Sequence, residues 1–307
     1  MKTRATRLGC AAIGLWATLA WLSTSARRLP PFQLLAMTFA VATALGLVRM
    51  ARAGGPEAWK KAFRQPLRVW LVGVGGLFGF HAFYFVALAK APAVHVSLIA
   101  YLWPLLIVIL SGARSVRALA GAAMGLGGVV VLLVTDQRFH AEIRPEHAAG
   151  YLSALACACT WAGYSVANRR FVTVPVDTVT GFCLVTAVLG GVVHAATETT
   201  LVPTPHEIAS AIALGLGPVG AAFFLWDYGT KHGDLPLLGV LSYATPLLST
   251  LLLIVSGAAR FSWNIALACL FIAGGAWLAS SNASKDARRR SAPRSAGQST
   301  RDAAARP

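Results

Sequence analysis

Few side chains in this chain could do chemistry, and those few stand in apolar surroundings. His81, in "GFHAFYF", and Asp227, in "FFLWDYG", interrupt long uncharged runs, and Lys231 follows Asp227 by four residues. An ionisable group inside an apolar helix costs about 2.5–3.5 kcal/mol on insertion scales unless it is paired or used. The His81 imidazole could hydrogen-bond a ligand carboxylate or carry a coupling proton near neutral pH; packed as a neutral ring it would do neither. Asp227 and Lys231 have the i, i+4 spacing of a helical ion pair. The alternative is a carboxylate that attracts an ammonium group, with the pair serving as gate or coupling site.

Two prolines are a second candidate. Pro104 lies in "SLIAYLWPLLIVILSG" and Pro246 in "SYATPLLSTLLLIVSG". Proline lacks an N–H, so the carbonyls of Ala100 and Ser242 lose their helical donors. In lipid a freed carbonyl is tolerated only where protein or a wet cavity satisfies it. Both could receive a ligand's ammonium group, and both kinks could act as hinges. Local Ser or Thr hydroxyls could equally satisfy them and leave the kinks architectural.

Other motifs carry less. Cys10, Cys157, Cys159, Cys183 and Cys269 all fall in apolar segments, and Cys157 and Cys159 point to opposite sides of a helix rather than toward one metal. The run "GVGGLFG" (73–79) lies inside an apolar stretch with no phosphate-facing helix start behind it. Gly75/Gly79 and Gly121/Gly125 read better as small-xxx-small helix contacts. No Walker-type loop occurs, and no metal or cofactor is expected.

The elements that must position these residues are membrane helices. Of 307 residues 56% are hydrophobic and only 12% charged, against about 25% charged in a soluble domain. Apolar runs long enough to cross a hydrocarbon core about 30 Å thick recur along the chain. Ten helices are expected, near 8–25, 32–51, 67–90, 92–111, 116–135, 148–170, 177–196, 207–229, 235–256 and 261–281. The segment "MKTRATR" with its apolar run and "STSA" could also be a cleavable leader. With a cytoplasmic N-terminus, the inner segments hold 14 Lys and Arg, the tail seven more, and the outer segments six of the 27 in the chain. That asymmetry places both termini in the cytoplasm. It also explains the net charge of +16 without nucleic acid, which is not expected as a partner. The polar, Arg-rich tail, 284–307, reads as disordered and cytoplasmic.

The chain also repeats. Tyr101-Leu-Trp-Pro104-Leu-Leu and Tyr243-Ala-Thr-Pro246-Leu-Leu agree at four of six positions, and both runs continue to Ser-Gly. The helix after each carries a glycine pair, Gly127-Gly128 and Gly274-Gly275, and Trp16 has a counterpart in Trp161. Two halves, 1–137 and 148–283, joined by an external linker at 138–147, would each hold five helices. Five is odd, so the second half enters the membrane inverted, an arrangement typical of secondary transporters with a midplane site.

These residues resemble the EamA-type drug/metabolite transporter family. The stretch "HAFYFVALAKAPAVHVSLIAYLWPLLIVILSG" (81–112) is most similar to its branch of aromatic amino acid exporters. The resemblance implies an all-α integral membrane fold, ten helices in a basket-shaped bundle, and a central cavity lined by helices 1, 3, 4, 6, 8 and 9. It also implies export of aromatic amino acids from the cytoplasm, at the cell inner membrane. Trp16, Tyr84, Tyr101, Trp103, Trp161, Tyr164, Trp226 and Tyr243 fall on those helices, and their rings, with His81, could hold an aromatic ligand by offset stacking. Interfacial belts are the other common use of Trp and Tyr. Relatives often carry a carboxylate in the turns after helices 4 and 9; here these read "SGARS" and "SGAAR", so no role of that carboxylate carries over. The expected partners are a small-molecule substrate and the bilayer, for a monomeric chain. The same fold could move non-aromatic metabolites or cationic drugs. A membrane enzyme acting on lipids would need His, Asp or Glu clustered at one depth, where the spans offer mainly His81 and Asp227.

Overall fold

The computed structural model describes residues 2–53, 55–112, 115–134, 145–257 and 262–291. Among these the chain is helical, without a strand. The first half holds α1 (Lys2–Ala17), α2 (Leu19–Ser23), α3 (Pro31–Ala53), α4 (Pro56–Phe63), α5 (Leu67–Lys90), α6 (Ala93–Ala100), α7 (Trp103–Leu110) and α8 (Val116–Val134). The second holds α9 (Ala148–Ala167), α10 (Thr178–Thr197), α11 (Pro205–Leu216), α12 (Ala222–His232), α13 (Leu235–Leu241), α14 (Ala244–Val255) and α15 (Trp263–Ser291). Each of the ten expected stretches is occupied by helix. Among the described residues eight stretches are long and apolar enough to cross a membrane; α9 is not among them, and the apolar part of α15, Trp263–Ala279, is shorter. Leu71, Val188, Val192 and Leu270 stand exposed on the outer faces, as contact with hydrocarbon requires. Most of the linker 138–147 and of the tail 284–307 lies outside the described residues, and α15 runs on to Ser291 into the stretch expected to be disordered.

Four expected helices are interrupted, and three of the breaks follow from proline. A proline ring collides with the carbonyl four residues earlier. Accordingly α6 ends at Ala100 and α7 restarts with Pro104 in its first turn; α13 ends at Leu241 and α14 restarts ahead of Pro246. The third is a correction. The stretch 207–229, expected as one helix, widens into a π-helical turn at Gly217–Ala221, around Pro218. The fourth, between α1 and α2 near Thr18, has no proline. A further helix lies between α3 and α5, outside the ten expected spans. This is α4, with Pro56 opening the helix, Glu57 in its first turn and Lys60 and Lys61 in its last, an order that suits the helix dipole.

The halves interleave. The most extensive pairings are α8 with α15, α5 with α9, α3 with α10 and α1 with α12, each joining one half to the other. Glycine permits the closest of these. A Cβ on Gly121 would run into the Gly275 carbonyl, and one on Gly275 into that of Gly121. Gly125 instead receives the Tyr243 ring. In α5 the contact register differs from the one expected: Gly75 faces open space, whereas Gly73 backs onto the Phe182 ring and Gly76 onto Tyr164. Among the described residues Gly112 and Gly257 have positive φ, at +71° and +74°. Each ends the second half of a kinked helix, and the serine before each hydrogen-bonds back three residues, Ser111 to Val108 and Ser256 to Leu253. One capping device thus occurs twice.

One rim is clasped by polar groups. The Glu198 carboxylate accepts the N–H groups of Phe32 (3.0 Å) and Gln33 (3.1 Å). Gln33 and Leu201 exchange two hydrogen bonds, and Arg28 forms a forked pair with Glu207. That carboxylate holds the Arg28 guanidinium above its ordinary pKa. At the opposite rim Lys2 pairs with Asp234 at 2.8 Å, and Arg49 pairs with Asp177 while lying over the Phe224 ring.

Candidate functional site

Four tryptophans meet where the halves cross. Trp16 of α1, Trp103 of α7, Trp161 of α9 and Trp226 of α12 all approach one another, with ring centroids from 5.0 Å (Trp16–Trp226) to 6.4 Å (Trp16–Trp103 and Trp103–Trp161). Most pairs are edge-to-face or tilted, the geometry that aromatic quadrupoles favour. The indole N–H of Trp16 donates to the Pro218 carbonyl at 3.0 Å, so the π-turn supplies the acceptor. That of Trp226 donates to Ser165 Oγ at 3.1 Å. Trp226 is wholly buried and Trp16 only partly. Rings expected on a cavity wall therefore pack on one another, with Trp16 the most exposed of the four.

Phenylalanines that were not singled out in the sequence complete the cluster. Phe223 lies 5.7 Å from Trp161 and 6.3 Å from Trp16, and Phe80 lies 5.4 Å from Trp161. A usable signal existed: Phe223 precedes Trp226 by three residues and so shares its helix face. Tyr164 joins through Trp161 at 5.3 Å, and Tyr84 through a parallel stack on Phe80.

His81 sits among Phe39, Phe80, Phe85 and Phe223, with centroids 5.2 to 6.3 Å away. Its Nδ1 lies 2.7 Å from the Leu77 carbonyl. A carbonyl only accepts, so Nδ1 carries the proton. The neutral ring then offers Nε2 as an acceptor, suited to an ammonium or an indole N–H; donation to a carboxylate requires the imidazolium.

Tyr101 and Tyr243 lie apart from the tryptophans, in a second core with Val108, Val240 and Ile272. The divergence of Tyr101 from Trp103 follows from their spacing on one helix. Tyr243 is fully buried, and its hydroxyl accepts the Leu105 N–H at 3.1 Å. The kink carbonyls differ from expectation at Ser242: its carbonyl accepts the Thr245 N–H at 3.1 Å, a tightened turn rather than a vacancy.

Asp227 and Lys231 pair at 2.8 Å with both side chains buried. Asp227 Oδ1 accepts from Asn168 Nδ2 at 3.0 Å, Asn168 also donates to Thr230, and Lys231 Nζ donates to the Val174 carbonyl at 3.1 Å. Asn168 is buried, and so is His95 against Tyr151. Each end of the charge pair is satisfied inside the protein, as a buried pair requires.

The comparisons fit this geometry. The model of the EamA-like transporter family matches residues 5–134 and 148–281. The chain belongs to that family. This EamA-like transporter is 49% identical over 284 residues to the protein of Ancylobacter novellus named aromatic amino acid exporter YddG, spanning 91% of this chain and 97% of the relative. The protein of the same name from Escherichia coli is 26% identical over 304 residues, spanning 91% and 98%. A solved crystal structure 47% identical in sequence superposes with a TM-score of 0.88, over 95% of this chain and 100% of that one. The EamA-like chain is a multi-pass membrane protein of a transporter family that handles small molecules.

Proposed function

We propose that this transporter exports tryptophan, phenylalanine and tyrosine, and with them other amphipathic amines, across the cell inner membrane by alternating access. In this reading ten spans form two inverted five-helix repeats with both termini in the cytoplasm. The observation that carries it is the four-tryptophan cluster, in which α1 and α7 of one half meet α9 and α12 of the other. Two separate family matches along the chain support the repeats, and the names of the relatives support the substrate class. A substrate ring stacks against Trp16, gaining about 0.5–1.5 kcal/mol per aromatic pair beyond burial. His81 Nε2 accepts from the substrate's ammonium or indole N–H.

Flux from liposomes tests this. Purified protein in vesicles loaded with tryptophan or phenylalanine should release them at least tenfold faster than leucine or lysine. Replacing His81 with Phe, which fills the same aromatic surroundings without an acceptor, should slow that release by about an order of magnitude, the scale of one hydrogen bond to a charged group. Replacing it with Gln should retain more. Release of a cationic drug but no aromatic amino acid would transfer the reading to the drug-exporting alternative. Flux no higher than from protein-free vesicles for every solute would remove it.

A further inference from the structure

The hydroxyl of Tyr243 does something its aromatic ring does not need. At the kink of one helix it takes the N–H of Leu105, the residue after Pro104 at the kink of the other. Beside it, Gly239 of α13 abuts the Pro104 carbonyl and the side chains of Ile107 and Val108 at 3.0–3.2 Å from the Cβ position. The halves α7 and α13 are thereby packed together on one side of the two kinks. On the other side α6 packs against α9, and α14 against α1. The crossing is closed at one end and parted at the other. By the charge asymmetry, the closed end is the cytoplasmic one.

The register of the duplication gives each of these groups a counterpart. Tyr243 corresponds to Tyr101, Leu105 to Leu247, Pro104 to Pro246, and Gly239 to Ser97, another small residue. We infer that the two tyrosine hydroxyls alternate as latches, Tyr243 on the Leu105 N–H in the state seen here and Tyr101 on the Leu247 N–H in the state open to the other side. The inference rests on the carrier reading and deepens it. In an inverted repeat, exchanging the conformations of the two halves exchanges the open side. The bond that closes one end must then have a twin that closes the other. Tyr101 is placed for this: it lies in the same core as Tyr243, at the kink of its own helix, away from the tryptophans. Both tyrosines are thus positioning residues rather than parts of the substrate's wall.

The test uses the full-length chain with its five native cysteines replaced and spin labels at Ala93→Cys and Ser256→Cys. These two exposed positions stand at the ends of α6 and α14 away from the closed packing. In nanodiscs, pulsed electron resonance should show a long and a short distance in exchange. Tyr243→Phe keeps the ring on Gly125 and removes only the acceptor. It should raise the short-to-long ratio about fivefold, the effect of one hydrogen bond of about 1 kcal/mol. Tyr101→Phe should lower the ratio by a similar factor. Loss of packing alone would not move the two variants in opposite directions. Equal or same-sign shifts, or a single unchanging distance in all three proteins, would overturn the inference. Opposite shifts in a protein that moves no aromatic amino acid would sustain the latches and remove the substrate assignment. Aromatic flux without opposite shifts would do the reverse.

Discussion

At Asp227 one carboxylate oxygen takes the Asn168 amide and the other the Lys231 ammonium, so removing Lys231 strands the carboxylate's charge where water does not reach. Lys231→Ala should destabilise the protein by about 3–5 kcal/mol, because an uncompensated buried charge remains. The double variant Asp227→Asn with Lys231→Met removes both charges and should recover most of that loss in a thermal-unfolding assay in detergent. Flux then separates the two roles. A recovered fold with recovered flux makes the pair structural, whereas a recovered fold without flux makes it a gate or coupling group. Nothing in the sequence distinguished the two, because i, i+4 spacing says that the side chains can meet and not how many further partners they find. Asn168 and the Val174 carbonyl complete the network from segments distant in sequence, and Thr230 joins it from α12 itself.

Among elements, the helices were legible because hydropathy and length are properties of a single segment; α5 runs over 67–90, as expected. Pro104 and Pro246 announced their breaks in the same way. Pro218, in the equally plain "GLGPVG", should have been read as a third. What the sequence hid was which small residue faces which neighbour. Gly75 and Gly79 have the textual spacing of a helix contact, yet only Gly79 makes one, against Thr160, and Gly73 and Gly76 make the closer ones, where Phe182 and Tyr164 arrive from the other half. The aromatic site was half visible for a related reason. Its tryptophans stand out by rarity, while its phenylalanines look like any other membrane residue. Two substitutions test the contact assignments. Gly121→Val should lower stability by about 1–3 kcal/mol through overpacking against α15. Gly75→Ala, with open space before it, should be neutral or stabilise by up to about 1 kcal/mol. Thermal midpoints of the purified variants would show the contrast, and equal losses would refute the packing of α8 on α15.

For the whole molecule, the interleaving of halves is the governing property. Every one of the largest helix pairings crosses between them, and at one rim Glu198, Gln33, Leu201, Arg28 and Glu207 fasten them again. A protease site introduced in place of residues 138–147 should therefore be cut without consequence. The two fragments should elute from a sizing column as one particle in mild detergent, still binding tryptophan, and their separation would contradict the arrangement. The rim clasp also bears on how the protein is made. When α8 leaves the ribosome, the partners of α1, α3, α5 and α8 have not yet been translated. At about 5–20 residues per second, seconds pass before they arrive. In that interval the N–H groups that Glu198 will receive stand open at the rim, and the glycine faces that will meet α10 and α15 stand unmated in the lipid. Lesions at these contacts should appear first as nascent chains lost to quality control, in protein that turns over normally once it has been completed.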